Sequence, residues 1–487
     1  MNNATNARER LAKVIQNGAV LLHGNSVVYR NNDTWYPFRQ DSNFHYLTAW
    51  PEQDAHAVII IRDSKSELHL FVQDRNEEME TWEGRRLGQE GALDKFGAIK
   101  AYSYNNYQKQ LPKLLDGITD IYCDYSNSSF NRFDKKTLNT AVPYDQRGAD
   151  FSKATLYSLQ PVISELRLIK DAGELELLTK ACDITVLGHI EAMKYAKPDM
   201  FEYQVGAQME KVFFEQGAER LGYPSIVASG DNACILHYST NRDQIKKGTL
   251  LLIDAAAECG MYSSDVTRTF PVGTKFSPPQ KDVYNAVLKS QIEGIEGVVE
   301  GNTMKNVHQQ TILSLSESMV DLGLVPMGVE ETVSMLHFFE FFMHGTGHWL
   351  GLDVHDAGSG EFQGKPREFS EGMVTTIEPG IYVRPTKPVI EFPLLERDPD
   401  AIRERRKHLG MEEATKLEQE EKANAKTVSH EIPKDLLGIG VRIEDDIVCT
   451  KNGPLNLTAD APKTIEEIEN LISCLLYTSP SPRDAQL

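Results

Sequence analysis

Two aspartates flank the turn of a predicted β-hairpin in residues 250–271, LLLIDAAAECGMYSSDVTRTFP. An apolar run leads to Asp254, a glycine-containing turn follows, and a second β-prone run carries Asp265. If Cys259 and Gly260 are the two turn residues, the aspartates face each other with Cβ atoms about 4.5–5.5 Å apart. Like charges in that arrangement destabilise a sheet, so the pair predicts a bound cation. Aspartates are also common in turns for local reasons, and a metal site therefore requires ligands from elsewhere in the chain.

Three histidines lie within twelve positions of a glycine-rich segment, HGTGHWLGLDVHD, at His344, His348 and His355. The spacing of the first two is that of helical zinc ligands, but the intervening glycines argue against a helix. No glutamate follows His344, so the segment is not an HExxH motif. One histidine alone is better explained by a structural role. Three together, on a backbone whose glycines allow close approach to a ligand, predict a functional site.

Two glutamates interrupt runs of residues that favour β-strands. MVTTIEPGIY brings Glu378 to the point where Pro379-Gly380 ends the strand. GIGVRIEDDIVCT carries Glu444 two residues after Arg442, which places both side chains on one face of a strand. A carboxylate inside such an apolar run is unusual unless it is paired or bound to a metal, so both glutamates are candidate ligands.

The candidate ligands together carry enough negative charge for two divalent cations: Asp254, Asp265, Glu378 and Glu444. His348 adds one nitrogen. A set rich in oxygen with a single imidazole suits Mn²⁺ better than a thiolate-rich zinc site would, and Co²⁺ and Zn²⁺ are the alternatives. Two metal ions about 3.5–4 Å apart lower the pKa of a bound water towards roughly 7. The ligand set therefore predicts hydrolysis rather than redox chemistry.

The composition is that of a globular protein with an acidic surface. The chain has 487 residues, 71 Asp and Glu against 51 Lys and Arg, and a net charge of −20. This balance argues against nucleic acid and anionic membranes as partners. Six scattered cysteines without a CxxC motif suit reduced thiols, and no apolar stretch resembles a signal peptide or a membrane span. We therefore expect a cytoplasmic protein.

The elements that position these residues fall into two predicted domains. Residues 1–165 alternate short apolar strands with helices, as an α/β domain does, and we expect them to serve substrate access or subunit contacts. Asp171 followed by Glu174 predicts a capped helix at the start of the second domain, residues 171–473. Periodic apolar residues predict further long helices at Glu202–Gln216, Lys281–Val299 and Met304–Leu322.

Two segments do not fit this scheme. Residues 396–431 are a mixed charge run rich in helix formers, which predicts an exposed helix or hairpin inserted between two candidate ligands. Residues 474–487 begin CLLYTSPSPRD, which resembles the translation of a sequencing adaptor. We interpret them as a non-native tail and expect its removal to change nothing.

The ordered candidate ligands resemble those of the pita-bread metallopeptidases, which include methionine aminopeptidase, prolidase and aminopeptidase P. The strings ACILHYSTN, HGTGHWLGLDVHD, TTIEPGIYV and GVRIEDDIV are most similar to aminopeptidase P, and FRQDSNFHYLTAW and WEGRRLGQEGA resemble its N-terminal domain. The resemblance implies an α/β N-terminal domain followed by an α+β pita-bread (creatinase/aminopeptidase-like) catalytic domain. It also implies that Asp254 binds one metal ion, that Asp265 and Glu444 bridge two, and that His348 and Glu378 complete the second.

The same resemblance implies roles in catalysis and substrate binding. Glu378 would position the attacking water or take its proton, while His355 and His344 would bind the scissile peptide and stabilise the oxyanion. His237 would lie beside the proline pocket, and Arg442 would support the metal ligands or the substrate. Trp82, with the neighbouring arginine pair, would reach the active site of another subunit in a homo-oligomer, a dimer or a tetramer.

The expected reaction is removal of an N-terminal residue that precedes proline. An Xaa-Pro bond is a tertiary amide without an N–H, so a protease that recognises its substrate through that N–H cannot bind it. The near alternative is a prolidase, which cleaves Xaa-Pro dipeptides with the same metal centre. A metal-free pita-bread protein, either a binding module or a creatinase-like enzyme, is the alternative of a different class. It predicts missing ligands, whereas all five positions are filled here.

Overall fold

The computed structural model describes residues 3–125, 127, 134, 138, 154–273 and 275–474. The chain divides into two compact units, Met1–Leu168 and Ile169–Leu487. Most of the expected non-native tail, residues 475–487, lies outside the described residues. No helix in the described parts of the chain is long and apolar enough to cross a membrane.

The first unit is built on a six-stranded mixed sheet of order β6-β5-β4-β1-β7-β8. The pairs β1–β4 and β4–β5 are antiparallel, and the outer pairs are parallel. Its strands, with the separate hairpin β2–β3, are β1 (Gly18–His23), β2 (Tyr29–Asn31), β3 (Thr34–Trp35), β4 (His56–Arg62), β5 (Lys65–Val72), β6 (Lys100–Ser103), β7 (Asp120–Cys123) and β8 (Thr155–Ser158). Its helices are α1 (Asn3–Ile15), α2 (Ser42–Thr48), α3 (Glu77–Glu83), α4 (Gly88–Phe96), α5 (Tyr107–Leu114) and α6 (Gln160–Leu168).

The central strands of this sheet are buried along nearly their whole length. On one face, alternate residues such as Leu21 and Val58 pack against Tyr107 and Leu111 of α5. The alternation follows from the two-residue period of a strand. The apolar runs noted in the sequence therefore form the core of the first unit.

The second unit places long helices around several small antiparallel sheets. Its helices are α7 (Ala172–Tyr195), α8 (Glu202–Glu215), α9 (Pro278–Glu296), α10 (Met304–Asp321), α11 (Val329–Ser334), α12 (Pro399–Leu409), α13 (Met411–Asn424) and α14 (Ile465–Cys474). Its strands are β9 (Arg220–Leu221), β10 (Ile226–Ser229), β11 (Leu250–Asp254), β12 (Ala257–Cys259), β13 (Tyr262–Ser263), β14 (Thr267–Pro271), β15 (Glu361–Phe362), β16 (Lys365–Pro366), β17 (Val374–Ile377), β18 (Gly380–Tyr382), β19 (Val389–Pro393), β20 (Thr427–Glu431), β21 (Gly440–Arg442), β22 (Asp445–Thr450) and β23 (Gly453–Asn456).

The predicted starts at Asp171, Glu202 and Met304 are confirmed, whereas the helix predicted from Lys281 begins at Pro278. Asp171 Oδ1 accepts hydrogen bonds from the N–H groups of Gly173 and Glu174, and Glu174 Oε2 accepts one from the Asp171 N–H, which completes a capping box. Buried residues of α7, α8, α9 and α10 form one apolar cluster with the strands β11, β14 and β21. This cluster holds the strands whose ends carry the candidate ligands.

The predicted register of the Asp254–Asp265 hairpin is wrong. The turn residues are Gly260 and Met261, both with positive φ (55° and 72°), as a type I′ turn requires. Moving the turn by one residue changes every partner, so Asp254 faces Thr267 instead of Asp265. Asp265 lies two positions before Thr267, and residues two positions apart in a strand have their side chains on the same face of the sheet.

Within the charge run 396–431, α12 and α13 form a helical hairpin, and the run ends in β20, which pairs with β19. Glu418 of α13 is buried and accepts hydrogen bonds from Arg397 and Arg406, which joins the two helices. Asp400 of α12 pairs with Lys305 at 2.6 Å, so the hairpin is fixed to α10.

A histidine buried in α7 makes the stability of the protein depend on pH. His189 is fully buried, and burial lowers its pKa from 6.5 to about 4. As the pH falls below 6.5, His189 becomes protonated in the unfolded chain, whereas in the folded chain it becomes protonated only near pH 4. We expect the free energy of unfolding to fall by about 3 kcal/mol over this window, and His189→Gln to remove that loss.

Denaturant unfolding between pH 4 and pH 8, with excess chelator in both samples, measures this effect. Glutamine can still donate to the Ala255 carbonyl, which His189 Nε2 contacts at 3.0 Å. His408→Gln is the matched control, because the His408 side chain is 79% exposed. Parallel pH profiles for the wild type and His189→Gln would contradict the prediction.

Candidate metal centre

Pairing of three chain segments brings Asp254 and Glu444 together. Asp254 is the last residue of β11 and lies opposite Thr267 of β14. Thr267 in turn forms an isolated bridge with Glu444, whose N–H donates to the Thr267 carbonyl at 3.1 Å. Thr267 therefore lies between the two carboxylate residues, and its hydroxyl donates to Glu444 Oε2 at 2.6 Å.

Strand β17 places His348 beside Glu378. The His348 carbonyl accepts from the Thr376 N–H at 3.0 Å, and the Glu378 N–H donates to the Thr346 carbonyl at 2.7 Å. The loop between His344 and His348 thus runs along the strand that ends at Glu378. A Cβ at Gly347 would lie 1.9 Å from the Thr376 carbonyl oxygen, so only glycine permits this approach.

The candidate ligands converge on one buried cluster. Ligand atoms of Asp265, His348 and Glu444 all lie within 4.8 Å of one another. His348 Nε2 is 3.4 Å from Asp265 Oδ2 and 3.8 Å from Glu378 Oε1. Asp254 joins the group through the hydroxyl of Tyr223, which is 2.5 Å from Oδ1 of both Asp254 and Asp265. The structure therefore brings all five predicted metal ligands into one cluster.

Burial raises the pKa of three of the clustered carboxyl groups, those of Glu378, Glu444 and Asp254. Burial raises the pKa of Glu378 to about 7, and the charge of His348 opposes that rise. Burial and the charge of Asp265 raise the pKa of Glu444 well above its usual value. Burial also raises the pKa of Asp254, although Arg442 opposes it. A site that favours protonated carboxylates when it lacks positive charge is suited to binding cations.

The donor set fits divalent metal ions. His348 Nδ1 donates to the Trp349 carbonyl at 3.0 Å, so Nε2, which faces Asp265 and Glu378, is the nitrogen that would bind a metal ion after losing its proton. Burial lowers the pKa of His348, but the hydrogen bond and charge of Asp265 outweigh it and raise the value to about 9. Carboxylate oxygens with one imidazole suit Mn²⁺ and related ions.

Tyr223 is a site residue that the sequence did not reveal. It precedes a proline in the short segment LGYPSIV, which carries no pattern typical of a ligand. Its hydroxyl has one hydrogen but contacts a carboxylate oxygen of both Asp254 and Asp265. One carboxylate accepts that hydrogen, and the other carboxylate oxygen lies within hydrogen-bond distance of the same phenol oxygen. Tyr223 therefore fixes the separation of the two aspartates.

We expect Tyr223→Phe to weaken metal binding by about tenfold or more, because residues that orient metal ligands typically contribute 10–100-fold to affinity. Titration of activity against buffered free Mn²⁺ measures the effect. Tyr262→Phe is the control, since its hydroxyl donates to Glu174 rather than to a candidate ligand. Equal metal affinity in the wild type and Tyr223→Phe would show that the tyrosine does not hold the ligands.

Arg442 and Tyr382 connect the metal cluster to His344. Arg442 Nη2 lies 2.5 Å from Asp254 Oδ2, its Nε donates to the Thr267 hydroxyl, and its Nη1 donates to the Tyr382 hydroxyl at 3.1 Å. The Tyr382 hydroxyl is 2.8 Å from His344 Nε2. Arg442 therefore contacts one candidate metal ligand, Asp254, directly.

The three further candidate histidines surround this cluster. Burial lowers the pKa of His344 to about 3, and its Nδ1 lies 2.8 Å from the Gly345 carbonyl and 3.7 Å from Glu378 Oε2. The His355 ring contacts the His348 ring edge-to-face at 4.3 Å. Burial lowers the pKa of His355, and the charges of His348 and His237 add to this effect. The charge of His237 also lowers the pKa of His344.

Trp82 is the one predicted site residue that lies in the first unit. It is on the short helix α3, and 82% of its surface is exposed. Arg86, of the neighbouring arginine pair, contacts Glu83 at 2.9 Å. A large aromatic side chain with this exposure is available to a partner molecule.

The chain matches known protein families over nearly its whole length. Residues 176–451 match metallopeptidase family M24, and residues 4–122 match the N-terminal domain of aminopeptidase P. The Xaa-Pro aminopeptidase of Haemophilus influenzae is 37% identical over 462 residues, which cover 95% of each chain.

Solved structures give the same result. Aminopeptidase PepP of Pseudomonas aeruginosa superposes with a TM-score of 0.85 at 34% identity, covering 97% of this chain and 98% of that one. Zinc-substituted aminopeptidase P of Escherichia coli in complex with product gives a TM-score of 0.83 at 34% identity, with coverage of 97% and 98%. These matches confirm the resemblance drawn from the sequence and the predicted fold class.

Proposed function

Because this chain belongs to metallopeptidase family M24, we propose that it is a metallo-aminopeptidase that removes an N-terminal residue preceding proline. The observation that carries the proposal is the convergence of five ligand-type side chains, contributed by distant segments, on one buried cluster. Full-length relatives named Xaa-Pro aminopeptidase support the same activity and do not favour the prolidase alternative. The filled ligand positions argue against a metal-free binding module or creatinase-like enzyme.

The cofactor would be a pair of divalent cations, with Mn²⁺ preferred and Co²⁺ or Zn²⁺ as substitutes. Five residues would hold the pair: Asp254, Asp265, His348, Glu378 and Glu444. When bound, such ions polarise a carbonyl and acidify water at neutral pH. Their positive charge would also offset the effect of burial, which disfavours the charged forms of Glu378 and Glu444.

The residues around the cluster have distinct tasks in this proposal. Glu378 would position the attacking water or accept its proton, because its carboxylate lies at the cluster. His355 would donate to the developing oxyanion, since neither of its ring nitrogens forms a hydrogen bond with the residues that the structure describes. His344 would bind the scissile peptide while Tyr382 and Arg442 hold its ring.

Proline recognition would come from the segment that carries His237. Its neighbour Tyr238 packs in a small apolar cluster with Tyr382, and Leu236 and Met343 border that cluster. A proline ring offers apolar surface and no N–H, so shape and apolar contact must select it. The substrates would therefore be peptides with proline at the second position.

Trp82 would complete the site of a neighbouring subunit in a homo-oligomer, a dimer or tetramer. The solvent exposure of Trp82 supports this role, because a tryptophan side chain is rarely so exposed unless it contacts a partner. A cytoplasmic location suits the described cysteines, which form no disulfides among themselves.

Hydrolysis of a matched peptide series tests the activity. We expect Arg-Pro-Pro to be cleaved after arginine with added Mn²⁺, Gly-Pro to be a poor substrate, and Arg-Ala-Pro to be cleaved at least about 100-fold more slowly. Product analysis by mass spectrometry gives the cleaved bond. Cleavage of Gly-Pro alone would identify a prolidase, and cleavage of neither proline peptide with two ions bound would exclude both activities.

A further inference from the structure

Glu202, the first residue of α8, is a fully buried carboxylate outside the metal cluster. It forms no ion pair with a lysine, arginine or histidine among the described residues. A buried carboxylate without a cation is costly unless several hydrogen bonds compensate for its lost hydration. Its position at a helix N-terminus provides part of that compensation, because the helix dipole favours negative charge there.

Five donors from a single loop surround this carboxylate. Oε1 accepts hydrogen bonds from the N–H and hydroxyl of Ser229, both at 2.8 Å, and from Asn232 Nδ2 at 3.0 Å. Oε2 accepts from the Tyr238 hydroxyl at 2.8 Å and from the Asp243 N–H at 3.0 Å. One oxygen therefore holds the beginning of the loop 229–243 and the other holds its end.

Main-chain hydrogen bonds fix the same contact. The Glu202 N–H donates to the Asp243 carbonyl at 3.0 Å, and the Tyr203 N–H donates to the Asn241 carbonyl at 3.1 Å. The first turn of α8 thus satisfies its own donors with carbonyls from the end of the loop. Side chain and backbone together close the loop on the helix.

The loop 229–243 carries a candidate substrate-binding residue, His237. His237 lies between the two sets of residues that Glu202 holds, and it is next to Tyr238. Tyr238 packs in one apolar cluster with Tyr382, whose hydroxyl is 2.8 Å from His344 Nε2. A shift of Tyr238 would therefore move His237 relative to the histidines that face the substrate.

We propose that Glu202 is a positioning residue for substrate recognition, because its carboxylate fixes both ends of the loop that presents His237. This inference rests on the proposed function, in which His237 contacts the proline-containing substrate. Glu202 touches neither substrate nor metal in this role, and it acts through the conformation of the loop alone.

A double-mutant cycle between Glu202→Gln and His237→Ala tests the coupling. In Glu202→Gln, the Asp243 N–H would face an amide N–H₂ and lose its acceptor, which would loosen the loop. We therefore expect kcat/KM for Arg-Pro-Pro to fall about tenfold, mainly because KM rises. In the His237→Ala background, Glu202→Gln should lower kcat/KM by less than about twofold, because the imidazole that Glu202 positions is absent. Tyr238→Phe, which removes one donor, replaces Glu202→Gln in the cycle if that variant does not fold.

Hydrogen exchange provides a readout that does not depend on activity. We expect Glu202→Gln to increase amide exchange in residues 230–242 while the strands of the metal centre stay protected. Glu210→Gln is the matched control, because Glu210 lies on the same helix and accepts one hydrogen bond, from the Ser225 hydroxyl. It should change neither the exchange of that loop nor kcat/KM.

The outcomes separate the two proposals. Unchanged exchange in 230–242, additive effects in the cycle, or full activity of His237→Ala would each overturn the positioning role. Failure of the wild type to cleave any Xaa-Pro peptide would overturn the proposed function, while the exchange comparison would still decide whether Glu202 orders the loop.

Discussion

We expect Glu378→Gln to lower kcat for an Xaa-Pro tripeptide by at least about 10³-fold, because the change removes both a proton acceptor and a charged ligand. Glu378 follows β17 and its Oε1 lies 3.8 Å from His348 Nε2. An amide of the same shape cannot accept the proton of the attacking water. His348→Ala should have a comparable effect, since it removes the one imidazole of the cluster.

Steady-state hydrolysis of Arg-Pro-Pro at saturating Mn²⁺ measures this loss, with metal content determined on the same sample. Glu371→Gln is the matched control, because Glu371 lies just before the same strand and pairs with Lys451 at the surface. Circular dichroism should show that Glu378→Gln keeps its fold, since the substitution relieves repulsion within the buried cluster. Turnover within about tenfold of the wild type would remove Glu378 from the chemistry.

Removal of metal should abolish activity, and the apparent metal affinity should fall as the pH is lowered. Burial, opposed by the charge of His348, raises the pKa of Glu378 to about 7. Burial lowers the pKa of His348, but the hydrogen bond and charge of Asp265 outweigh it and raise that pKa to about 9. Metal binding must therefore displace a proton from His348 below about pH 9 and a further proton from Glu378 below about pH 7, with affinity falling up to about tenfold per pH unit for each proton displaced. Above about pH 7 the Glu378 carboxylate is ionised, so the dependence should become shallower while the His348 proton is still displaced.

Two measurements test this expectation. Activity after dialysis against a chelator should fall by at least about 100-fold and return on addition of Mn²⁺. Thermal unfolding with metal at about 1,000 times its Kd should show a stabilisation of about 4 kcal/mol relative to the chelated protein. Full activity after verified loss of both ions, or metal affinity that does not change between pH 6 and pH 8, would contradict the dinuclear site.

Much of the candidate site could be read from residue type and local pattern. Glu378 before a proline and the histidines among glycines were recognisable because burying unpaired carboxylates and imidazoles is costly. The capped start of α7 was predictable because capping depends on residues three positions apart. Trp82 was singled out by resemblance alone, and its role is still a proposal.

The register of the Asp254 hairpin shows where local reasoning failed. The prediction used Cys259 and Gly260 as the turn, whereas the chain places Gly260 and Met261 there with positive φ. The aspartates still converge, because the hydroxyl of Tyr223 contacts both of them. That tyrosine comes from a segment without a recognisable pattern, so only the folded chain shows it.

The sequence by itself determined which side chains can bind cations, since donor type and charge belong to each residue. Only the tertiary structure decided which hydrogen bonds fix them: Thr267 between Asp254 and Glu444, and the closed loop on Glu202. Those contacts join residues far apart in the chain. Their geometry depends on packing of whole strands and helices, which no short segment encodes.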